Sequence, residues 1–220
     1  MPFEAAVFDL DGTLVDNIRF HVQAWMELGE RLGIPVTRER FEREFSGRKN
    51  DEIFPALLGR PVPPDELERL ADEKESRYRE LFRPHLKLLA GAEALIAALT
   101  AKGVKLAIAS AAPRANRDFV LDGLELRGRF QAIIGSEDAK RGKPSPDLFL
   151  AAAAKLGVAP EKCIAFEDAE LGVQAARAAG MTCAAVTTTA TEEQLRHSGA
   201  QYVAADFATL PRELRSLLGV

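Results

Sequence analysis

Short, nearly continuous apolar runs alternate along the chain with longer stretches whose apolar positions return every three or four residues. The runs are Ala5 to Phe8, Val104 to Ala109, Ala132 to Ile134, Cys163 to Phe166 and Thr182 to Val186, and Tyr202 to Ala204 fits a last, edge strand. Runs of this length and character read as strands buried on both faces. Between them the spacing predicts a helix from Ala92 to Lys102 that ends at Gly103, and another around Arg117 to Leu124. Ser145-Pro146-Asp147 opens a further helix that stops at Gly157, with Ser145 as N-cap and Pro146 at the first helical position. The helix after the fourth strand closes at Gly180. Strands alternating with helices predict an α/β fold, a doubly wound parallel sheet with helices on both faces.

One section departs from this alternation. From Asn17 to Leu32 the apolar positions Phe20, Trp25, Leu28 and Leu32 keep helical spacing, and Gly33 with Pro35 ends them. From there to about Phe82 the chain is helical and heavily charged, without a convincing strand run. Pro55 and the Pro61-Val62-Pro63-Pro64 cluster divide it into short pieces. The section separates the first strand from the rest of the sheet, so it reads as an insertion. The expected organisation is a core built from residues 1–15 and 84–220, with an α-helical cap from residues 16–83.

Composition narrows the partners. With 220 residues, 47% of them hydrophobic, the chain can bury a large core. A net charge of −4 argues against a nucleic-acid backbone or an anionic membrane as main partner. No stretch is long and uncharged enough to span a bilayer. Cys163 and Cys183 each lie in an apolar run, where cysteine behaves as a small hydrophobe. No signal-peptide pattern opens the sequence. The expectation is a cytoplasmic monomer in a reducing setting that acts on a small molecule.

The polar residues gather at the ends of the strands. Asp9-Leu10-Asp11-Gly12-Thr13 follows the first strand. In extended chain, Asp9 and Asp11 point to the same side, roughly 6–7 Å apart. Two like charges so close call for a positive partner, and hard oxygen ligands favour Mg²⁺. A turn built from ordinary Asp and Gly residues is the plainer alternative. A helix–loop–helix calcium site is excluded, because its sixth and twelfth positions would be Leu14 and Phe20. The other strand ends carry Ser110, the segment before Lys143, and Glu167 with Asp168. Each has a bland reading: a helix cap, a solvated lysine, an acidic helix start. In an open parallel sheet, however, all of them meet at one edge, where ligands bind. Gly142-Lys143 is not a P-loop, since Glu137 and Pro144 replace its glycine and hydroxyl positions. No dinucleotide fingerprint follows a strand.

Taken in order, Asp9-Leu10-Asp11-Gly12-Thr13, Ser110, Lys143-Pro144 and Glu167-Asp168 resemble the four motifs of the haloacid dehalogenase-like hydrolase superfamily. The similarity spans essentially the whole chain and implies a Rossmann-like core. The insert resembles the α-helical cap of the branch containing beta-phosphoglucomutase and sugar-phosphate phosphatases. His21, Ala24 and Trp25, Gly47-Arg48-Lys49-Asn50-Asp51, Lys74 with Tyr78, and Lys143-Pro144-Ser145-Pro146-Asp147 carry that likeness. The resemblance implies that Asp9 is a nucleophile forming an aspartyl-phosphate and that Asp11 serves as general acid and then base. It implies Mg²⁺ on the Asp9 side chain, the Asp11 carbonyl and Asp168, with Glu167 close by through water. Ser110 and Lys143 would hold the phosphate oxygens. A true dehalogenase lacks the second aspartate, so Asp11 argues against dehalogenation. A signalling receiver domain would be shorter and uncapped, and an inactive phosphate-binding module would not need this full set.

Substrate contacts are expected from Thr13, Ala111, Gly47, Arg48, Lys49 and Asn50. His21 admits an active-site or a surface role. Trp25, four residues later, reads as core packing. Lys74 fits either a substrate contact or a solvated face, and Asn116 either the phosphate pocket or a helix start. The expected activity is a Mg²⁺-dependent phosphatase for a small phosphorylated metabolite, a sugar phosphate above all; a beta-phosphoglucomutase-type phosphomutase is the alternative. Asn50 takes the place of the arginine that the mutase pattern uses to hold a distal phosphate, and Thr13 that of its valine. Lys74 keeps the mutase pattern.

Overall fold

The computed structural model describes residues 2–220. Its centre is one sheet of six parallel strands: β1 (Ala5–Phe8), β2 (Lys105–Ala109), β3 (Ala132–Ile134), β4 (Cys163–Glu167), β5 (Thr182–Val186) and β6 (Tyr202–Ala204). The order across the sheet is β3-β2-β1-β4-β5-β6. Chain direction across the sheet therefore reverses between β1 and β4, which leaves a crevice at their carboxyl ends. Pairing there is in tight register, with Phe8 opposite both Ile108 of β2 and Phe166 of β4.

The two-residue period of the strands sorts the core into two layers. Ala6, Phe8, Ile108, Ile164 and Phe166 face one side, under α5 (Ala92–Ala101), α6 (Arg114–Gly123) and α10 (Arg212–Leu218). Phe8 and Phe166 stack there at 4.7 Å between ring centres. The other side is lined by small residues, among them Ala5, Ala107, Ala109, Ala165 and Cys183. Over them lie α7 (Asp147–Leu156), α8 (Glu170–Ala178) and α9 (Glu192–His197). Small side chains let those helices approach the sheet closely, and Leu148, Phe149 and Val173 fill the space from above.

Between β1 and β2 the chain forms α1 (Ile18–Leu32), α2 (Arg38–Glu44), α3 (Asn50–Leu58) and α4 (Pro64–Phe82). These four helices share an apolar cluster of their own that includes Ile18, Trp25, Phe45, Phe54 and Leu70. Phe20, Tyr78 and Phe82 instead join the layer that contains Phe8. Helix ends follow the punctuation of the sequence: Gly33 closes α1 and Gly157 closes α7, both in the left-handed conformation.

Three details differ from the sequence expectation. α7 begins at Asp147 with Pro146 in the cap position, because the Ser145 hydroxyl is bonded to the Asp147 carboxylate instead of capping. α6 begins nearly a turn early, at Arg114, directly after Pro113. α9 and α10 lie in stretches whose apolar spacing is too short to mark a helix, and α9 is started by a Thr191–Gln194 capping box.

Candidate active site

The carboxyl ends of β1, β2 and β4 open into a cleft enclosing about 650 Å³ of space, its open mouth included. Asp9 continues β1: its N–H donates to the Phe166 carbonyl at 2.9 Å, so its side chain is fixed at the strand end. The chain then turns sharply through Gly12, whose φ is +83°. A Cβ there would run into the Asp168 carboxylate and come within 2.9 Å of the Thr189 hydroxyl, so both conformation and space require glycine. Ser110 follows β2, with its N–H donating to the Ile134 carbonyl at 3.1 Å and its hydroxyl accepting from the Ala112 N–H at 3.1 Å. Glu167 ends β4 and Asp168 follows it.

Lys143 arrives from the loop before α7, after which the chain passes a cis Lys143–Pro144 peptide. Its ammonium donates to Asp9 Oδ1 at 2.6 Å and also to Glu167 Oε1. All three side chains are buried. Asp9, Glu167 and Asp168 each bring a carboxylate oxygen within 4.8 Å of the others. Burial pushes the Asp9 carboxyl well above its usual range; Lys143 opposes this, while Glu167 and Asp168 add to it. Asp168 is pushed up to about 7, by burial first and the Glu167 charge second, although the Thr189 and Thr13 hydroxyls favour its charged form. Lys143 is held charged, because Asp9 and Glu167 outweigh the effect of burial.

These shifts supply a test for a metal ion. Three buried carboxylates with one lysine among them carry excess negative charge, and their oxygens are the hard ligands a divalent cation takes. The residues therefore fit such an ion, and the cluster could hold it.

Asp11 is handled separately. Its Oδ1 accepts from Asn17 Nδ2 at 2.6 Å, and its Oδ2 lies 3.7 Å from His21 Nε2. Burial raises its pKa, but the hydrogen bond and charge of His21, then Asn17 and Lys74, more than offset that and leave it lowered. Asp9 and Asp11 are thus pushed in opposite directions by different surroundings, Asp11 being the more readily ionised of the two in this arrangement.

Most residues singled out in the sequence line this cleft: Asp9, Asp11, His21, Gly47, Arg48 and Asn50, then Lys74, Ser110, Ala111, Asn116, Lys143, Glu167 and Asp168. Trp25 does so too, while packing against Phe45 and Phe54. Thr13 does not line it. It is fully buried, and its hydroxyl donates to Asp168 Oδ1 at 2.8 Å. Lys49 is also outside the lining, its ammonium directed at the Ala139 carbonyl and Asp51.

Other members were not singled out by sequence. Asn17 is fully buried: its Oδ1 accepts from the Gly12 N–H at 3.0 Å, and its Nδ2 donates to Asp11 and to Tyr78 Oη at 2.6 Å. It stands at the N-cap position of α1, the place where asparagine is ordinary, so its sequence gives no sign that the side chain serves the catalytic loop. Thr189 donates to the other oxygen of Asp168. Glu75 lines the cleft beside Lys74.

A crevice at the switch point of a Rossmann-ordered sheet, lined by an acidic pair, a hydroxyl and a buried lysine, defines an α/β enzyme of phosphoryl chemistry. The family model for haloacid dehalogenase-like hydrolase matches residues 3–180. A phosphorylated carbohydrates phosphatase of Thermotoga maritima is 32% identical over 178 residues, covering 81% of this chain and 82% of that protein. A beta-phosphoglucomutase of Bacillus subtilis is 34% identical over 185 residues, covering 81% and 80%. The crystal structure of beta-phosphoglucomutase from Clostridium difficile superposes with a TM-score of 0.84 at 28% identity, over 98% of this chain and 96% of that one. The chain belongs to the haloacid dehalogenase-like hydrolase family, and within it is a phosphoric monoester hydrolase.

Proposed function

We propose that the chain is a Mg²⁺-dependent phosphatase that hydrolyses a small sugar phosphate or similar metabolite through an aspartyl-phosphate on Asp9. The observation that carries this is the buried Lys143 ammonium at 2.6 Å from Asp9. It offsets the nucleophile's charge where a phosphate dianion must approach. An Asp9 oxygen attacks phosphorus as the bond to the leaving oxygen breaks, and Asp11 gives that oxygen its proton. Asp11 then takes a proton from water, which attacks the phosphorus and frees phosphate and Asp9. Ser110 and Lys143 hold the non-bridging oxygens. Asp9, Glu167, Asp168 and the Asp11 carbonyl would hold Mg²⁺, which when bound adds positive charge beside those oxygens. Residues 16–83 serve as a cap over the core of residues 1–15 and 84–220 and choose the substrate.

Asp9→Asn should abolish release of phosphate from a panel of phosphorylated metabolites while preserving the fold by circular dichroism, and EDTA should abolish it in the wild type. Normal turnover in either case excludes the assignment. A phosphomutase is the second reading, favoured by Lys74 in the cleft and by the Bacillus subtilis relative. A mutase has to grip a distal phosphate, which an arginine fork does best, and Asn50 stands at that place. With beta-glucose 1-phosphate and a trace of glucose 1,6-bisphosphate, free phosphate should outpace glucose 6-phosphate. The reverse decides for the mutase.

A further inference from the structure

The cleft is also lined by a buried carboxylate to which the chemistry above assigns no task. Glu75 sits on α4, with its side chain 6% exposed and that of Lys74 3% exposed. Its two oxygens collect four hydrogen bonds. Oε1 accepts from Asn50 Nδ2 at 2.9 Å and from Lys74 Nζ at 3.1 Å. Oε2 accepts from Asn116 Nδ2 at 2.6 Å and again from Lys74 at 3.1 Å. Burial alone would raise the Glu75 pKa, but Lys74, His21 and the two amides leave it lowered, so this carboxylate is an anion in place.

The consequence falls on Lys74. An ammonium has three N–H donors. Here the ammonium lies 3.1 Å from both Glu75 oxygens and 2.9 Å from His21 Nδ1. Lys74 is thus held in a buried ion pair, and its charge is cancelled by its neighbour. Asn50 and Asn116 likewise spend an N–H each on Glu75. The other basic side chains of the cleft are Lys143, committed to the reacting end, His21, whose Nε2 lies 3.7 Å from Asp11 Oδ2, and Arg48, which is exposed. Against them stand Asp9, Asp11, Glu167 and Asp168 in addition to Glu75. A divalent cation and Lys143 can balance one phosphate at Asp9, but nothing buried is left to balance a second. What the segment between β1 and β2 still offers the cleft is apolar surface from Ile18, Trp25, Phe45 and Ile53.

We propose that Glu75 is a specificity residue that restricts the cleft to phosphomonoesters with an uncharged remote end, by cancelling Lys74 and repelling a second anionic group. The inference rests on the phosphatase reading and adds the class of substrate to it: a monophosphate on a neutral, hydroxyl-bearing carbon frame. Diphosphorylated sugars and phosphorylated carboxylic acids are refused. A Lys74 freed from Glu75 would become a phosphate grip.

Binding tests this apart from turnover. In the Asp9→Asn protein with saturating Mg²⁺, titration calorimetry compares matched pairs: glucose 6-phosphate with glucose 1,6-bisphosphate, and fructose 1-phosphate with fructose 1,6-bisphosphate. The monophosphate of at least one pair should bind at least tenfold more tightly than its bisphosphate. Adding Glu75→Gln should move that ratio at least tenfold toward the bisphosphate. Glutamine keeps the shape, and its two polar atoms can still pair with Asn116 and a flipped Asn50, so a melting temperature close to that of the parent is expected. Should that variant not fold, the comparison with Glu75 intact decides. Bisphosphates that bind as tightly as monophosphates, a ratio indifferent to Glu75→Gln, or failure of every monophosphate to bind each overturns the proposal. Monophosphates that bind with the expected ratio but are not hydrolysed by the wild type overturn the phosphatase reading instead.

Discussion

Asn17→Ala puts a magnitude on the loop that carries Asp11. Asn17 is fully buried, and its side chain makes three hydrogen bonds. The Gly12 N–H also donates to the Val15 carbonyl at 2.8 Å, so it is not orphaned by the change. Asp11 loses a hydrogen bond to a charged group, about 2 kcal/mol, and buried Tyr78 loses a neutral one, about 1 kcal/mol. The vacated amide volume adds a little more, for a total of about 3–4 kcal/mol. In a protein of this size each kcal/mol shifts the melting temperature by about 2–4 °C, so a drop of about 6–16 °C is expected in differential scanning calorimetry at fixed pH and Mg²⁺. Asp11 also loses the group that fixes its orientation, so kcat should fall about 10- to 100-fold, since small misplacements of a reacting group are costly. A melting temperature within about 2 °C of wild type together with unchanged kcat would refute the view that Asn17 holds this loop.

Thr13→Val keeps the shape but removes one of the two hydroxyls that hold Asp168, so the Mg²⁺ concentration for half-maximal activity should rise about tenfold or more. An unchanged Mg²⁺ dependence counts against the assigned role of Thr13. Glu75 has a lowered folded pKa, so its ionised form stabilises the fold above the unfolded value of about 4.3, and that contribution is lost as pH falls through the folded value. The stability difference between wild type and Glu75→Gln in urea titrations should therefore be largest near neutral pH and shrink toward pH values of about 3; a pH-independent difference would contradict the ionised assignment.

How much of this was legible in the sequence depends on the physical signal behind each feature. The strands were legible because burial on both faces leaves uninterrupted apolar runs such as Cys163 to Phe166, and the topology followed from their alternation with helices. The acidic loop, Ser110, Lys143 and the Glu167-Asp168 pair were legible because parallel topology brings strand ends to one edge, wherever they lie in the chain. The supporting polar residues were not. Asn17 occupies an ordinary N-cap position, Thr189 lies in a plain threonine run, and Glu75 is one acid among many on a charged helix. Only the fold turns Glu75 inward, and helical periodicity cannot separate a buried ion pair from a solvated one. Thr13 was legible as part of a motif but not in its contact, since the partner, Asp168, lies 155 residues away.

The supporting residues matter because the reacting ones are in conflict. Asp9, Glu167 and Asp168 repel one another in a buried site, and Lys143 can offset only part of that. Such a cluster destabilises the fold unless other groups favour the charged forms. Thr13 and Thr189 donate to the two oxygens of Asp168, and the backbone N–H of Asp168 donates to Glu167 Oε2 at 3.0 Å. Asn17 does the same for Asp11. These donors come from the segments that follow β1, β4 and β5, so the charges are held in place by three separate parts of the fold. A divalent cation would relieve the repulsion that these donors only contain. It follows that residues that never meet the substrate still govern metal affinity and the orientation of Asp11, and that conservative changes there should separate the two effects: Thr13→Val acting on the metal, Asn17→Ala on the acid.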